Sequence, residues 1–367
     1  MTAALLPAAV RAAVSAGYNL GLIIAESRLS TGPFSAAYRL DTESGSYCLK
    51  LHSKDRSAGA LKLEEELLTF LARQRFPLTP ALVPTASGNP HLRAGQEICS
   101  LYSYIEADPP FDWSRPAWSA GHCRAAGRAL AAFHRATAPF VARLRNEQRY
   151  RPFCLPLRSM LPSRFRRSLD FARQARRGHN EALALVAEES ESLGDALAST
   201  LAALNRLESE RSATPVLIHG DYHPGNVLFR GQELCGILDF EYLRVEDRRY
   251  DLGCALIHFC ALWPAGRAKQ PPSSGFERAF DRRRLEAFQD GYLEGAGAAP
   301  DRPQTPLPAG GEEGISTLVP YMKFACFLLV CWLVELYQGG SRSRPDFLDR
   351  AVFQALTMLR ALQSVAP

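Results

Sequence analysis

The sequence predicts an α+β fold with a small β-rich N-terminal part and a larger, mainly helical C-terminal part. Three observations carry this. Strand-like runs concentrate between Glu26 and Ile105, a double proline at Pro109-Pro110 interrupts the chain just after, and most of the chain beyond the prolines has apolar residues at helical spacing. A chain of 367 residues has room for two such parts, at residues 1–105 and 106–367.

The alanine-rich start, Met1 to Ala25, reads as a helix and not as a signal peptide, since it lacks a basic leading region and Arg11 interrupts it. Leu29 to Leu40 reads as two strands around a turn at Gly32-Pro33. A second turn near Ser44-Gly45 leads into the strand Tyr47-Cys-Leu-Lys-Leu51. Lys50 stands among apolar neighbours there, and a snorkelling edge lysine is its plainest structural reading. Leu61 to Leu71 forms a helix with Leu63, Leu67, Phe70 and Leu71 on one face. Glu64 to Glu66 lie in it, either as a solvated face or with one of them paired to Lys50, which would hold the lysine out to phosphates. Ile98 to Ile105 is a strand that ends in the linker.

Beyond the linker, Ser119 to Ala136 has the composition of a packed helix and carries His134, a packing or bracing histidine. Arg143 to Arg177 is dense in arginine, as a solvated surface or as a cationic wall for an anionic substrate. Ser192 to Leu204 is helical, with Leu193, Leu197, Leu201 and Leu204 in one stripe. Asp251 opens an apolar helix, Leu252 to Leu262, as a cap or first-turn acid, and His258 within it is a core residue. Pro264 to Gly275 and Gly295 to Gly314 read as surface connections. The apolar run Phe324 to Val334 is shorter than the roughly 20 residues of a membrane span and reads as a buried helix.

The net charge of +5 is mildly basic, which suits anionic ligands without the continuous basic and aromatic surface that nucleic acid requires. Nine scattered cysteines with no CxxC pair point to reduced thiols in a cytoplasmic protein, not to a disulfide frame or structural zinc. The expectation is a monomer or homodimer with a small-molecule partner and with no nucleic-acid or membrane partner.

The chemistry concentrates in His219-Gly-Asp-Tyr-His-Pro-Gly-Asn226, between the short strands Val216 to Ile218 and Val227 to Phe229. A turn from Arg230 to Glu233 then leads to a strand ending at Asp239. Phosphoryl transfer needs an acceptor for the proton of the attacking hydroxyl and metal ligands that bridge the nucleotide phosphates. Asp221 suits the first task, and the oxygens of Asn226 and Asp239 suit Mg²⁺. His219 can brace the turn through its backbone.

This motif, with Ile237-Leu-Asp-Phe-Glu241 and Tyr250-Asp-Leu252, resembles the aminoglycoside phosphotransferase and choline kinase family, including its homoserine kinase-like members. The resemblance extends to Tyr47-Cys-Leu-Lys50, Glu64, the stretch Ser103 to Ile105, and Leu130-Ala-x-Phe-His134. It implies a protein-kinase-like two-lobed fold and ATP- and Mg²⁺-dependent transfer to a small-molecule hydroxyl. Asp221 would be the catalytic aspartate, with His219 beside it, and Asn226 and Asp239 the metal ligands. Lys50, paired with Glu64, would hold the α- and β-phosphates, and the backbone of Ser103 and Ile105 would meet adenine. Only Gly32 stands in the expected phosphate loop, and Asp-Phe-Glu replaces the Asp-Phe-Gly of protein kinases, which disfavours a protein substrate. The implied acceptors are homoserine, choline or ethanolamine, a sugar, or an aminoglycoside-like compound. A kinase-like binding protein and a metallophosphatase are the alternatives.

Overall fold

The computed structural model describes residues 6–31, 36–54, 56–109, 118–175, 180–210, 214–262, 275–297, 315–339 and 345–365. The Gly32-Pro33 turn and most of the two long connections lie outside these residues. The chain divides into two compact units. One comprises Met1–Asp108 with Cys235–Glu241, the other Pro109–Leu234 with Tyr242–Pro367. The range 106–367 is therefore interrupted, because Cys235–Glu241 belongs with the N-terminal unit, where the Ile237 N–H donates to Leu78 O at 2.7 Å.

The first unit is built on an antiparallel sheet. Helix α1 (Ala8–Gly17) precedes strands β1 (Ile23–Thr31), β2 (Ala36–Thr42) and β3 (Gly45–Leu51), then helix α2 (Ala58–Arg73) and strands β4 (Leu82–Val83), β5 (Leu92–Ala94) and β6 (Glu97–Ser103). The sheet runs β1-β2-β3-β6-β4, with β5 also on β6. Side-chain alternation sorts β3: Leu49 and Leu51 join the apolar core with Leu40, Leu101 and α1, while Lys50 points to the other face. Lys50 pairs in register with Ser100, and Cys48 with Tyr102, so Lys50, Ser100 and Tyr102 share that face. Helix α2 starts where the Ser57 hydroxyl accepts the Ala60 N–H, and its Glu64 meets Tyr102.

The second unit is mainly helical. It contains α3 (Ala120–Asn146), a 3₁₀ segment at Gln148–Cys154, α4 (Leu157–Ala175), α5 (Glu181–Glu188), α6 (Ser190–Glu210), α7 (Arg249–Phe259), α8 (Phe276–Ala279), α9 (Arg282–Gly295), α10 (Val319–Gln338) and α11 (Pro345–Gln363). Strands β7 (Val216–Ile218) and β10 (Arg244–Glu246) pair antiparallel. Strand β8 (Val227–Arg230) ends in a tight turn at Gly231, φ +60, after which β9 (Glu233–Ile237) runs into the segment that belongs with the first unit. Helices α3 and α9 touch backbone to backbone. A Cβ at Gly291 would lie 1.9 Å from Arg124 O, and one at Gly127 would lie 2.0 Å from Phe288 O. That close approach sets His134 of α3 against Tyr292 of α9. Helix α10 is 20 residues long and apolar enough to span a membrane by length and hydropathy, longer than its apolar run suggested; two thirds of that window is buried in the protein.

Candidate functional site

In the second unit, Asp251 organises the turn just after β7. Its Oδ2 accepts the N–H of His219 (2.7 Å) and its Oδ1 that of Gly220 (2.8 Å). The Nε2 of His134 also donates to Oδ2, at 2.9 Å, which leaves the His134 Nδ1 to accept the Tyr292 hydroxyl at 2.8 Å. Asp251 is fully buried, and its donors are two backbone amides and one imidazole. The first-turn acid expected from the sequence thus acts on a different segment, 31 and 32 residues upstream. Gly220 is required here: its φ is +79, and a Cβ would lie 2.2 Å from Tyr242 O. The buried His219 ring lies between Phe133 and Tyr222, and its Nδ1 accepts the Asp221 N–H at 3.3 Å.

Asp221 is thereby presented at the end of a clamped turn with its side chain about one third exposed. Burial pushes its carboxyl up, but His223, His219 and His258 outweigh this and hold its pKa at about 2. It is ionised throughout the physiological range. Asn226 donates through Nδ2 to Asp221 O (2.9 Å) and Oδ2 (3.0 Å), so its amide carbonyl oxygen is the atom turned away as a metal-type donor.

In the first unit, Lys50 Nζ lies 2.8 Å from Asp239 Oδ1 and 2.8 Å from Glu241 Oε1. Burial lowers the lysine pKa, and the carboxylates of Asp239, Glu64 and Glu241 more than reverse this, raising it above its ordinary value. Asp239 falls two residues past the end of β9, not within it, with a left-handed φ of +64, a conformation that a non-glycine residue keeps only where its surroundings fix it. Through Lys50 and Glu241 it is linked to a network of two cations, Lys50 and Arg56, and three carboxylates, Asp239, Glu241 and Glu64.

The expected Lys50–Glu64 ion pair is not formed. Glu64 instead pairs with the buried Arg56 and accepts the Tyr102 hydroxyl at 2.8 Å. Arg56 is nearer, and also reaches Glu241 (3.7 Å) and His52 Nδ1 (2.7 Å). Nor is Glu64–Glu66 a solvated face, since Glu64 and Glu65 are buried. Ser103 is only half available to a ligand, because its N–H donates to Ala81 O at 2.8 Å. Ile105, just beyond β6, makes no hydrogen bond with the described residues. The predicted residues thus fall into two groups, Lys50, Glu64, Ser103, Ile105 and Asp239 in one unit and His219, Asp221 and Asn226 in the other.

Sequence reasoning missed Arg56, Glu241 as a partner of Lys50, and Tyr292. Nothing distinguishes Arg56 from a surface arginine until α2 folds over it. Asp251 and His134 did carry a signal, in Tyr250-Asp-Leu252 and Leu130-Ala-x-Phe-His134. In the arginine-dense segment, Arg143 and Arg149 pair with Glu147, Arg158 with Glu208, and Arg164 with both oxygens of Glu335. Those guanidinium groups already have structural partners.

A family model described as phosphotransferase enzyme family matches residues 28–304. A homoserine kinase of Methylocella silvestris is 28% identical over 246 residues, 66% of this chain and 67% of that protein. An aminoglycoside phosphotransferase from Alicyclobacillus acidocaldarius superposes with a TM-score of 0.60 at 19% identity, covering 100% of this chain and 96% of its own. Amicoumacin kinase, solved in complex with AMP-PNP, Ca²⁺ and Ami, has a TM-score of 0.60 at 15% identity, covering 95% and 92%. These neighbours share the α+β, protein-kinase-like fold of this chain.

Proposed function

We propose, for a chain that belongs to the phosphotransferase enzyme family and is a small-molecule kinase acting on hydroxyl groups, that it moves the γ-phosphoryl group of ATP, with Mg²⁺, onto a small polar alcohol. The acceptor is of the homoserine, choline or ethanolamine, sugar, or aminoglycoside type, and the homoserine kinase relatives favour homoserine as the first compound to try. One observation carries the reading: an ionised Asp221 carboxylate at the end of a turn fixed by Asp251.

Asp221 orients the acceptor hydroxyl and takes its proton as the new P–O bond forms. His219 keeps the turn in shape through the Asp221 N–H. Lys50 exchanges Asp239 and Glu241 for the α- and β-phosphate oxygens. Glu64 acts on it from a distance, as a buried negative charge held by Arg56. The carbonyl of Ser103 and the backbone of Ile105 meet adenine. The residues fit a magnesium ion by their chemistry, since Asp239 offers a carboxylate and Asn226 an amide oxygen, the hard donors that magnesium prefers. When bound, the ion supplies charge neutralisation at the phosphate oxygens.

The test is ADP release from Mg²⁺·ATP across homoserine, choline, ethanolamine, sugars and aminoglycosides, with Asp221→Asn alongside. One acceptor is expected to stimulate release, and the variant to lose roughly 10²-fold or more in turnover while still binding ATP. If calorimetry shows ATP bound but no acceptor stimulates release, the chain is a kinase-like binding protein instead.

A further inference from the structure

His223 is two residues from Asp221 and, beyond helping to hold that carboxyl ionised, has no part in the chemistry above. Its side chain caps the 3₁₀ turn Pro224–Asn226, accepting the Gly225 N–H on Nδ1 at 3.0 Å. An imidazole nitrogen that accepts carries no proton, so the proton of the neutral ring sits on Nε2. That nitrogen lies 3.4 Å from Asp221 Oδ2. The same oxygen accepts the Asn226 amide at 3.0 Å, whereas Oδ1 accepts no hydrogen bond from the described residues. The two carboxylate oxygens are therefore unequal: Oδ2 accepts the Asn226 amide and has His223 Nε2 3.4 Å away, while Oδ1 accepts from none of the described residues.

We infer that His223 is a positioning residue for phosphoryl transfer: by capping the turn with Nδ1 and donating from Nε2, it turns the Asp221 carboxylate so that Oδ1 faces the acceptor hydroxyl. This rests on the proposed role of Asp221 as the proton acceptor. The ring is itself backed. His258 lies with its ring centroid 5.5 Å away, tilted by 41°, and is fixed by donation from its Nδ1 to Cys254 O at 2.8 Å. A carboxylate with both oxygens equally solvated would rotate between two orientations. Donors on Oδ2 alone remove that freedom, and a misplacement of the reacting group by about 1 Å is enough to cost roughly 10²-fold in rate.

The two functions of His223 can be separated, because an asparagine side-chain oxygen falls where Nδ1 lies and a glutamine side-chain nitrogen where Nε2 lies. His223→Asn keeps the cap and loses the donor; His223→Gln keeps the donor and loses the cap. With the acceptor that gives most ADP release, His223→Asn is expected to lower kcat about tenfold or more, with the KM for ATP within about twofold of the parent. His223→Gln is expected to retain more of kcat than His223→Asn despite being the less stable protein. Full kcat in His223→Asn, or a ranking that tracks stability, overturns the inference. A second measurement is independent of turnover. Long-range ¹H–¹⁵N spectra of the histidine-labelled full-length protein are expected to show His223 as the Nε2–H tautomer, with its Nε2 resonance moved by Asp221→Asn. The Nδ1–H tautomer overturns the inference even if an acceptor is found. The expected spectrum with no turnover on any acceptor leaves the placement standing and removes the kinase reading.

Discussion

Two polar networks, one in each unit, solve opposite problems. In the helical unit a single buried carboxylate, Asp251, is surrounded by fixed donors: two backbone N–H groups and the His134 imidazole, itself held by Tyr292. In the sheet unit charge meets charge, with Lys50 and Arg56 set among Asp239, Glu241 and Glu64. The first network has no partner to exchange, since two of its donors belong to the backbone it shapes and the third, His134, is held by Tyr292. The second can trade partners: three carboxylates against two cations favour an added cation, and a phosphate can take over Lys50. On the proposed function, rigidity sits where the base would be aimed, and exchangeable charge where the nucleotide would arrive.

The comparison breaks most readily at Asp251. Asp251→Ala leaves two buried backbone donors and His134 without their acceptor, and the expected loss is roughly 3–5 kcal/mol of stability. Urea denaturation measures it, and a cost below about 1 kcal/mol would mean that water or a shifted backbone replaces the carboxylate. Asp251→Asn should cost less, because its side-chain oxygen in the place of Oδ2 still accepts from the His219 N–H and the His134 imidazole, two of the three donors.

Much of this was legible in the sequence, and the parts that were not share a cause. The strand and helix around Lys50 and Glu64 arise from local alternation and an apolar stripe, and β3 and α2 contain the runs expected. The turn from His219 to Asn226 is legible because its chemistry is local. The Lys50–Glu64 pair was the wrong partner choice, since selecting among cations for Glu64 depends on where Arg56 lands once the chain turns into α2. Tyr292 was invisible for a like reason. Its hydroxyl meets His134 only because glycines let α3 and α9 approach to backbone contact, a relation across 158 residues. Asp239 was placed within a strand because its apolar neighbours suggest one; its left-handed backbone ends the strand two residues sooner.

A smaller and graded effect comes from pH, with one histidine in each unit. Burial, followed by the Arg56 guanidinium on Nδ1, holds the His52 pKa down to about 3. Burial, followed by His223, holds that of His258 down to about 4. Both fold as neutral rings, whereas in the unfolded chain each takes a proton near pH 6.5. Between these limits the unfolded state binds more protons, so stability is full above pH 6.5 and falls as pH drops through the window, by at most about 1.4 kcal/mol per pH unit for each histidine. Glu64 and Asp221, each held at about 2, act in the same direction only below their ordinary carboxylate range. The interval from about pH 6.5 to 5 therefore lies above these two carboxylates, and the opposing contribution of Glu246, whose carboxyl burial pushes up, is common to the parent and a His52 variant. Urea midpoints at pH 7, 6 and 5 are expected to fall less steeply for His52→Gln than for the parent; equal slopes would show that His52 is protonated in the folded protein.

The smallest expected effect tests how far the rigid network extends. Tyr292→Phe removes only the hydroxyl, which donates to His134 Nδ1 and also meets the Arg248 side chain, and leaves the ring packed between α9 and α3. The His134 Nε2 to Asp251 bond remains, so the cost is that of one buried acceptor losing its donor, about 1 kcal/mol. If Asp251 alone fixes the turn, turnover should be unchanged and only the denaturation midpoint should move. If the orientation of His134 matters to how tightly Asp251 holds the His219 and Gly220 amides, kcat should fall with the midpoint, while the KM for ATP, which the proposed function assigns chiefly to Lys50, Ser103 and Ile105 of the other unit, stays where it was. Exchange of those two amide protons distinguishes the cases directly: faster exchange in Tyr292→Phe places Tyr292 inside the clamp, and unchanged exchange confines the clamp to Asp251 and His134.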